Sequence, residues 1–395
     1  MKRSIRIISL LTVLLMVFSL AACTPATPGG EVTTANDTVT ESENITSTAV
    51  EETTEEPKPE FPKYDGPSSD FKLSCESFIT EGSFGDYTGF TIKAEKSYMV
   101  PALKEKMVPQ GMDIWEERGW LLISGYFSDA TYSDSSVIVA VDMESGAYVG
   151  EYFLTNEDGT PHTSHAGGIA VTDKNIYVAN GYKLYRVPLT EILKVGQCGK
   201  ITIAEAIAVP TRASFCNYSG GYLWVGDFQY GKSYPTEEYC HMKNNEGEMY
   251  YAWSAGYELT DETESGFKPE SLVKDSFATP DVILSITERI QGFAVVGSRI
   301  ALSQSYGRGN KSTIFLYDDP MDGAPHRTTD LNGKSVPVYF LDSKLSCNKI
   351  TAPPMSEGLA SMNGELYILF ESGADKYANG GGKDPTEHVW KMTVN

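Results

Sequence analysis

The sequence lacks the residue spacings that announce a metal centre or a common catalytic machinery. Its five histidines are scattered, and no Cys-x-x-Cys occurs among its six cysteines, so a zinc or redox site is disfavoured. It contains no Gly-x-Ser-x-Gly elbow, no His-Glu-x-x-His and no dinucleotide-binding glycine fingerprint. Function must therefore be sought in the arrangement of the fold rather than in a short motif.

Positive charge is also scarce. The 395 residues carry a net charge of -21, of which +3 lies in residues 1–22 and -9 in residues 24–70, leaving about -15 for the remainder. Nucleic acid and anionic lipid headgroups are poor partners for such a surface. We expect no nucleic-acid binding.

Long apolar runs are absent except for one, near the amino terminus. Lys2, Arg3 and Arg6 precede an apolar stretch over residues 7–20, which is shorter than the roughly 20 residues needed to span a bilayer. Residues 20–23 read Leu-Ala-Ala-Cys and resemble the lipobox of bacterial lipoproteins, in which the chain is cut before a cysteine that then carries lipid. The resemblance predicts a signal peptide over residues 1–22, lipidated Cys23 and anchorage at the extracytoplasmic face of the membrane. An ordinary secretory signal with an incidental cysteine is the alternative.

Large apolar residues are missing from the next segment as well. Residues 24–70 are dominated by Thr, Ser, Glu, Pro and Asn. Such a composition cannot bury enough apolar surface to offset the entropy lost on ordering. We therefore predict that residues 23–70 form a lipidated, disordered tether and that residues 71–395 form the folded domain.

Five short stretches of the folded domain repeat one pattern. A polar or small residue, usually followed by glycine, opens an apolar strand, and a turn leads to a second strand of large apolar residues. The copies cover residues 110–123, 165–178, 214–225, 291–302 and 357–369. Hairpins recurring at such intervals are typical of radially arranged sheets. We predict an all-β fold, a single β-propeller of five blades with four antiparallel strands each.

Two features qualify the blade count. The long interval after the third copy includes a polar segment, residues 230–248, which we interpret as a loop inserted in the third blade; a hidden sixth blade is the alternative. The last blade is one strand short, because the chain stops after residues 388–394. We predict that an amino-terminal strand within residues 90–101 completes it and closes the ring.

Propeller geometry predicts where a ligand would bind. The first strand of each blade lines the central channel, so its leading residue lies at the mouth, and the end of the second strand lies on the same face. The leading residues form a predicted inner circle of Gln110, His165, Ser214, Gln291 and Glu357. The predicted outer circle contains Tyr126, Asn180, Asp227, Tyr306, Arg308 and Glu371. Gly111, Gly168, Gly292 and Gly358 fit this interpretation, since strands crowd at the axis.

Several of these residues have chemistry suited to a ligand. His165 lies among small residues that leave its ring accessible, although a hydrogen-bonded structural role is the alternative. Glu357, the one carboxylate of the inner circle, could ligate a cation, act as an acid or base, or bond neighbouring amides. Arg308, in a glycine-flanked loop, offers a planar fork for a carboxylate or phosphate, unless it is simply a solvated hairpin tip. Tyr126, Tyr230 and Tyr306 could stack on a sugar.

The remaining cysteines give no framework. With Cys23 assigned to lipid, an odd number is left: Cys75, Cys198, Cys216, Cys240 and Cys347. No spacing dictates a pairing, and at least one thiol must stay unpaired, so we expect mostly isolated or buried thiols.

The repeat pattern is similar to secreted gluconolactonase-like and strictosidine-synthase-like propellers, in which Gly-apolar-Ala opens many blades. It looks closer to exported propeller lipoproteins of Gram-positive bacteria, over most of residues 88–395. The resemblance implies a cation, with calcium the candidate, held by a Glu, an Asn and an Asp, but only Glu357 takes such a place plainly; Asn180 and Asp227 end second strands.

Two functional hypotheses follow from the fold and its site. One is a monomeric, membrane-anchored protein that binds a small molecule, glycan or protein at the channel mouth. The other is a cation-dependent hydrolase of the lactonase or phosphoanhydride type.

Overall fold

A computed structural model describes residues 70–394 and shows a five-bladed β-propeller. The predicted signal peptide, Cys23 and nearly all of the tether lie outside the described residues. Each blade is an antiparallel sheet whose four strands run outward from the central channel, as predicted. Within residues 70–394, no helix has the length and apolar character needed to cross a membrane.

The first two blades follow one another along the chain. Blade 1 contains β2 (Met107–Trp115), β3 (Trp120–Phe127), β4 (Val137–Asp142) and β5 (Tyr148–Thr155). Blade 2 contains β6 (Gly168–Val171), β7 (Asn175–Asn180), β8 (Lys183–Pro188) and β10 (Glu205–Ala208). The β4–β5 turn shows how the sequence sets a hairpin: Asp142 Oδ1 accepts the Ser145 amide at 2.8 Å, and Gly146 adopts a φ of 73°.

The third and fourth blades contain the inserted loop. Blade 3 contains β11 (Phe215–Ser219), β12 (Tyr222–Gly226), β15 (Ala252–Tyr257) and β16 (Val282–Ile286), and blade 4 contains β17 (Ile290–Val296), β18 (Arg299–Gln304), β19 (Ser312–Asp318) and β22 (Cys347–Ala352). Between β12 and β15 lies only a small hairpin of β13 (Met242–Lys243) and β14 (Met249–Tyr250). The polar segment is therefore a loop, and the five-blade interpretation is confirmed over its six-blade alternative.

The fifth blade joins the two ends of the described chain. It contains β23 (Ser356–Met362), β24 (Glu365–Phe370) and β25 (His388–Thr393), and its outer strand is β1 (Ala94–Met99), antiparallel to β25. The predicted amino-terminal closure is confirmed. The strand begins later than the apolar pattern, because residues 88–91 form a short helix instead.

The sequence did not predict three further strands, which extend blades from their outer edges. β9 (Cys198–Thr202) pairs in parallel with β5, and β21 (Lys334–Phe340) pairs in parallel with β16 and carries β20 (Arg327–Leu331). β9 and β21 come from the blade that follows, so each covers the edge of its neighbour. The helices are short: α1 (Thr88–Thr91), α2 (Leu189–Val195) and α3 (Asp375–Ala378).

The hydrophobic core is divided among the interfaces between blades. Five separate clusters of buried apolar side chains each join two neighbouring blades, and a sixth lies at the outer edge of blade 3. Aromatic residues contribute to these interfaces: the centroid of the Trp224 ring of blade 3 lies 4.9 Å from that of the Phe293 ring of blade 4.

A buried carboxylate holds the inner strands together inside the channel. Asp113 on β2 is 4% exposed and accepts hydrogen bonds from the Val171 amide of blade 2 at 2.8 Å and from the Asn217 side-chain amide of blade 3 at 3.2 Å. The Asn217 side chain also donates to the Leu359 carbonyl of blade 5 at 3.2 Å. This polar cluster links four of the five blades around the axis.

The cysteines of the described region are all free thiols, namely Cys75, Cys198, Cys216, Cys240 and Cys347. Cys216 and Cys240 are buried, which fits the expectation of isolated or buried thiols. Burial raises the pKa of the Cys75 thiol to about 11, with the nearby charges of Glu387 and Glu105 adding to the effect.

Candidate functional site

A cavity of about 570 Å³ opens at the end of the channel where the inner strands begin. All five predicted inner-circle residues line it: Gln110, His165, Ser214, Gln291 and Glu357. The geometric prediction that these side chains gather around one axis is therefore met. Their contact with a ligand stays a prediction. The volume lies within the range of small-molecule sites in proteins.

Three of these residues are placed by irregularities in their strands. The pairing register of β2 shifts at Gln110, that of β17 shifts at Gln291, and that of β23 shifts between Ser356 and Leu359, around Glu357. A β-bulge turns a side chain out of the regular alternation of its strand and is over-represented beside functional sites. Three blades thus use the same local device to direct a polar side chain towards the cavity.

The backbone before each inner strand has a second shared feature. In every blade a residue other than glycine adopts a positive φ shortly before or at the start of the strand: Lys106, Ala166, Ala213, Arg289 and Met355. Such conformations cost about 1 kcal/mol or more each and cluster at functional sites. The repeated strain lies at the mouth of the cavity.

Four outer-circle residues also line the cavity, and two do not. Asn180, Tyr306, Arg308 and Glu371 are on its wall. Tyr126 lies just behind the wall, where its ring packs on the His165 ring with centroids 4.5 Å apart and its hydroxyl accepts a hydrogen bond from Lys376 at 3.1 Å.

The placement of Asp227 differs from the prediction. It is 1% exposed, and its two carboxylate oxygens accept the backbone amides of Arg212 at 2.7 Å and Trp253 at 3.0 Å. The side chain turns back into blade 3 because the loop amides there need acceptors. Asp227 therefore holds the loop before β11, and the structure does not place it on the cavity wall.

Two carboxyl groups form the deepest polar part of the cavity. Glu357 is 3% exposed, and Gln291 Nε2 donates to its Oε1 at 2.9 Å. Gln110 Nε2 donates to Glu371 Oε2 at 3.1 Å, and Gln110 is itself 6% exposed. Each of these two carboxyl groups of blade 5 is thus oriented by a side-chain amide from a neighbouring blade, blade 4 for Glu357 and blade 1 for Glu371. We call Glu357 and Glu371 the carboxyl pair.

The carboxyl pair holds a proton near neutral pH. Burial raises the pKa of Glu357 well above its usual value, and the charge of Glu371 and a hydrogen bond with it add to the rise. Burial also raises the pKa of Glu371, to about 7, although hydrogen bonds from Glu357, Gln110 and Tyr377 and the charge of Lys376 hold it down. Their mutual hydrogen bond raises the pKa of Glu357 and lowers that of Glu371, so it favours Glu357 as the donor and Glu371 as the acceptor. Sequence reasoning assigned these residues to different circles and missed their contact.

His165 is held at the cavity edge through its backbone. Its amide donates to Asn180 Oδ1 at 3.2 Å, while its ring packs on Tyr126 and stays open to solvent. Burial within the wall and the nearby Lys376 charge lower the pKa of the imidazole. His165 is thus neutral at pH 7 and can donate or accept a hydrogen bond.

Cationic side chains lie at the entrance to the cavity, and two of the three were not predicted. Lys376 and Arg308 are exposed, whereas Arg212 is half-buried with its guanidinium over the Tyr182 ring. Lys376 follows a second strand and Arg212 precedes a first strand, which are the chain positions that propeller geometry brings to this face. The outer circle predicted from the ends of second strands leaves out these loop positions.

Aromatic rings form one side of the entrance. The Tyr306 ring lies 4.3 Å from the Tyr230 ring and 6.4 Å from the Phe228 ring, and Tyr306 is 38% exposed. Tyr306, Phe228 and Tyr234 all line the cavity. These flat surfaces can pack against the apolar parts of a ligand.

The residues present do not fit the cation site that the lactonase resemblance implies. Among residues 70–394, no three His, Cys, Asp or Glu side chains gather in a way that could hold a metal ion. Asp227 is committed to backbone amides, and Asn180 accepts the His165 amide. Glu357 has Glu371 as its acidic neighbour, and burial raises the pKa values of both, which disfavours the charged forms that a cation would need.

Comparison with known proteins gives structural similarity alone. No protein-family model matches the sequence, and none of the curated proteins compared with it matches either. Glutaminyl cyclase from Myxococcus xanthus is similar at 12% identity and a TM-score of 0.38, over 76% of this chain and 95% of that one. A putative oxidoreductase (glucose dehydrogenase) from Thermus thermophilus is 11% identical with a TM-score of 0.35, over 76% and 99% of the chains. BamB from Moraxella catarrhalis is 10% identical with a TM-score of 0.29, over 73% and 85%.

Proposed function

We propose that this protein is a lipid-anchored recognition protein that binds a small polar ligand in the cavity at the hub of its propeller. The observation that carries the proposal is the gathering of one polar side chain from each of the five blades around a single cavity. Polar side chains are not needed in this ring to close the fold, because apolar side chains could pack there without the free-energy cost of burying polar atoms. A ligand that needs several hydrogen bonds explains them.

The location of the protein is part of the proposal. Lys2, Arg3, Arg6, the apolar run and Cys23 support export followed by lipid attachment. The polar segment that follows would hold the propeller away from the membrane. Replacing Cys23 with Ser should release the protein from the membrane fraction into the medium; retention of the variant in that fraction would contradict the anchor.

The binding function can be tested without knowing the ligand. The chain from residue 23 onward, carrying Cys23→Ser, is incubated with the small-molecule fraction of a cell-envelope extract and examined by native mass spectrometry. We expect a bound mass on the parent protein that is absent from Glu357→Gln and from His165→Ala. The matched control is Glu365→Gln. Glu365 is the first residue of β24, the strand that ends just before Glu371, and its carboxylate accepts a hydrogen bond from Thr393 Oγ1 at 2.8 Å.

The outcomes separate clearly. Loss of the mass from both cavity variants, with unchanged thermal midpoints and with retention by the control, supports the proposal. Binding by all variants, or by none including the parent, means that the hub cavity is not the site.

The cation-dependent hydrolase hypothesis has its own test. Calcium added to metal-stripped protein stabilises the fold if it binds the folded state alone. A rise of several degrees in melting temperature that Glu357→Gln abolishes would favour the hydrolase. With no cluster of metal-ligating side chains among residues 70–394, we expect no such rise.

A further inference from the structure

The cavity wall carries both acidic and basic side chains. Glu357 is 3% exposed and Glu371 is half-buried, whereas Lys376 and Arg308 are exposed. Arg212 is the third cation of the wall. We call these three residues the entrance cations. A chain with 53 acidic and 32 basic residues has thus gathered three basic side chains around one opening.

Building on the proposed binding function, we infer that the ligand is a small zwitterion, whose primary ammonium group binds the carboxyl pair and whose carboxylate binds the entrance cations. Free amino acids and short unblocked peptides have this chemistry. The cavity of about 570 Å³ has room for a few residues of peptide.

The carboxyl pair suits an ammonium group because of how its oxygens are arranged. Each carboxyl group is oriented by one amide hydrogen bond, from Gln291 or Gln110, and the two groups share a hydrogen bond between them. An ammonium ion brings three donors, so it can replace the shared proton and bond both groups at once. The replaced proton leaves Glu357 and passes to solvent, as does any proton still held by Glu371, and the ammonium keeps its own protons. The carboxyl pair then becomes fully charged, opposite a bound cation.

The entrance cations suit a carboxylate because the acceptors of their side-chain hydrogen bonds are neutral, although the carboxyl groups of Glu371 and Asp227 lie near Lys376 and Arg212 respectively. Arg308 Nη1 donates to the Gly380 carbonyl at 2.9 Å, Arg212 Nη1 donates to the Pro235 carbonyl at 2.9 Å, and Lys376 donates to the Tyr126 hydroxyl at 3.1 Å. Each guanidinium has further N–H donors in a planar fork that matches a carboxylate. The Tyr377 ring makes cation–π contacts with both Arg308 and Lys376, so these two cations lie near one another.

A neutral glycan explains the cavity less well. It could use the aromatic rings and the two glutamine amides, but it offers nothing that would repay the burial of two adjacent carboxyl groups. The charged groups of the cavity therefore favour the zwitterion.

The test uses four defined probes and isothermal titration calorimetry on the chain from residue 23 onward, carrying Cys23→Ser. Trialanine has both charges, N-acetyl-trialanine lacks the ammonium, trialanine amide lacks the carboxylate, and maltotriose is a neutral glycan. We expect trialanine to bind and each blocked peptide to bind about tenfold more weakly or worse, as for the loss of a charge-assisted hydrogen bond.

Proton release gives an independent readout. When trialanine is titrated at pH 6.5 in buffers of different ionisation enthalpy, the observed heat should vary with the buffer, because the carboxyl pair gives up its proton. The groups that face the pair are Gln110, Gln291, Tyr377 and Lys376; the two glutamines do not titrate, and burial raises the pKa of Tyr377. Glu357→Gln should reduce the buffer dependence and weaken trialanine binding, whereas Glu365→Gln should change neither.

Each alternative outcome overturns the inference. Equal binding of trialanine and its blocked forms would show that the charges are not recognised. Binding of maltotriose but not of the peptides would leave the proposed binding function intact and replace the zwitterion by a glycan. If no probe binds, the zwitterion is ruled out, and the extract experiment alone decides whether the cavity binds anything.

Discussion

The α-carbon of Gly168 in blade 2 lies so close to Cys216 in blade 3 that a methyl group on Gly168 would come within 2.1 Å of the Cys216 amide nitrogen. The same crowding recurs at the axis: a Cβ on Gly111 would lie 2.5 Å from Gly168 Cα, and one on Gly358 would lie 2.7 Å from the Met112 nitrogen. The ring closes only because these positions carry no side chain.

Gly168→Ala should therefore be strongly destabilising. The obstructing atoms are backbone, so the inner strands of blades 2 and 3 must separate, and we expect a loss of about 3 kcal/mol or more, or failure to fold. Gly89→Ala is the control, because Gly89 has no atom within 4 Å of the added methyl group. Urea unfolding of both variants checks the prediction, and similar midpoints for the two would contradict the crowding.

These glycines show what the sequence could predict. Gly111, Gly168, Gly292 and Gly358 stand at equivalent positions of a repeat, so crowding at an axis, the five blades and the shared cavity all follow from one pattern. The closing strand β1 was predictable because the last blade lacked a strand and an unpaired edge is costly.

Other features could not be read from the repeat. Alternating apolar residues do not say which edge a strand joins, so the parallel pairing of β9 with β5 and of β21 with β16 was missed. The contact between Glu357 and Glu371 depends on a register shift in β23, and one extra residue in a strand leaves no clear mark in a sequence.

The carboxyl pair makes stability depend on pH. Because burial raises the pKa of Glu371 from 4.5 to about 7 and that of Glu357 well above 4.5, these two groups bind more protons in the folded protein than in the unfolded chain above pH 4.5. The free energy of unfolding should therefore fall as pH rises from 4.5 towards 7 and beyond. Gln110, Gln291, Tyr377 and Lys376 limit the effect but do not reverse its sign.

Glu357→Gln should flatten this decline and raise stability at pH 8 by about 1–3 kcal/mol, since glutamine needs no proton to be neutral when buried and can still bond Glu371. Urea unfolding at pH 5, 6.5 and 8 measures the slope. Glu365→Gln, outside the cavity, should leave it unchanged. A Glu357→Gln protein that is less stable than the parent at pH 8 would show that the ionised pair stabilises the fold.

Asp113→Asn should lower the free energy of unfolding, whereas Glu357→Gln should raise it at pH 8. It accepts hydrogen bonds from the Ile114, Val171 and Tyr218 amides and from the Asn217 side chain. Asp113→Asn turns one acceptor into a donor that faces other donors, so we expect a loss of about 1–3 kcal/mol in the free energy of unfolding. The control is Asp173→Asn, an exposed position that lines, together with Asp113, a separate cavity of about 160 Å³. Equal thermal midpoints for the two variants would show that the hydrogen bonds of Asp113 do not stabilise the fold.

The segment between the predicted tether and β1 is fastened by a second kind of buried carboxylate. Glu151 on β5 is fully buried and accepts the Lys72 amide at 3.0 Å, the Leu73 amide at 3.0 Å and the Tyr148 hydroxyl at 3.1 Å. Leu73 is 6% exposed and packs in the core between blades 5 and 1. The first described residues are thus part of the domain.

Glu151→Gln should loosen this attachment while leaving the blades closed. A glutamine side chain has one acceptor oxygen where the glutamate has two, so some of these hydrogen bonds are lost. We expect a loss of about 1–3 kcal/mol in local stability, and the Lys72 and Leu73 amides should exchange with solvent much faster. Hydrogen exchange followed by mass spectrometry measures this, with amides of β17 as internal reference. Glu95→Gln, at an exposed position of β1, is the control. Unchanged exchange at Leu73 would mean that apolar packing alone holds the segment, and faster exchange throughout the domain would mean that Glu151 supports the ring itself.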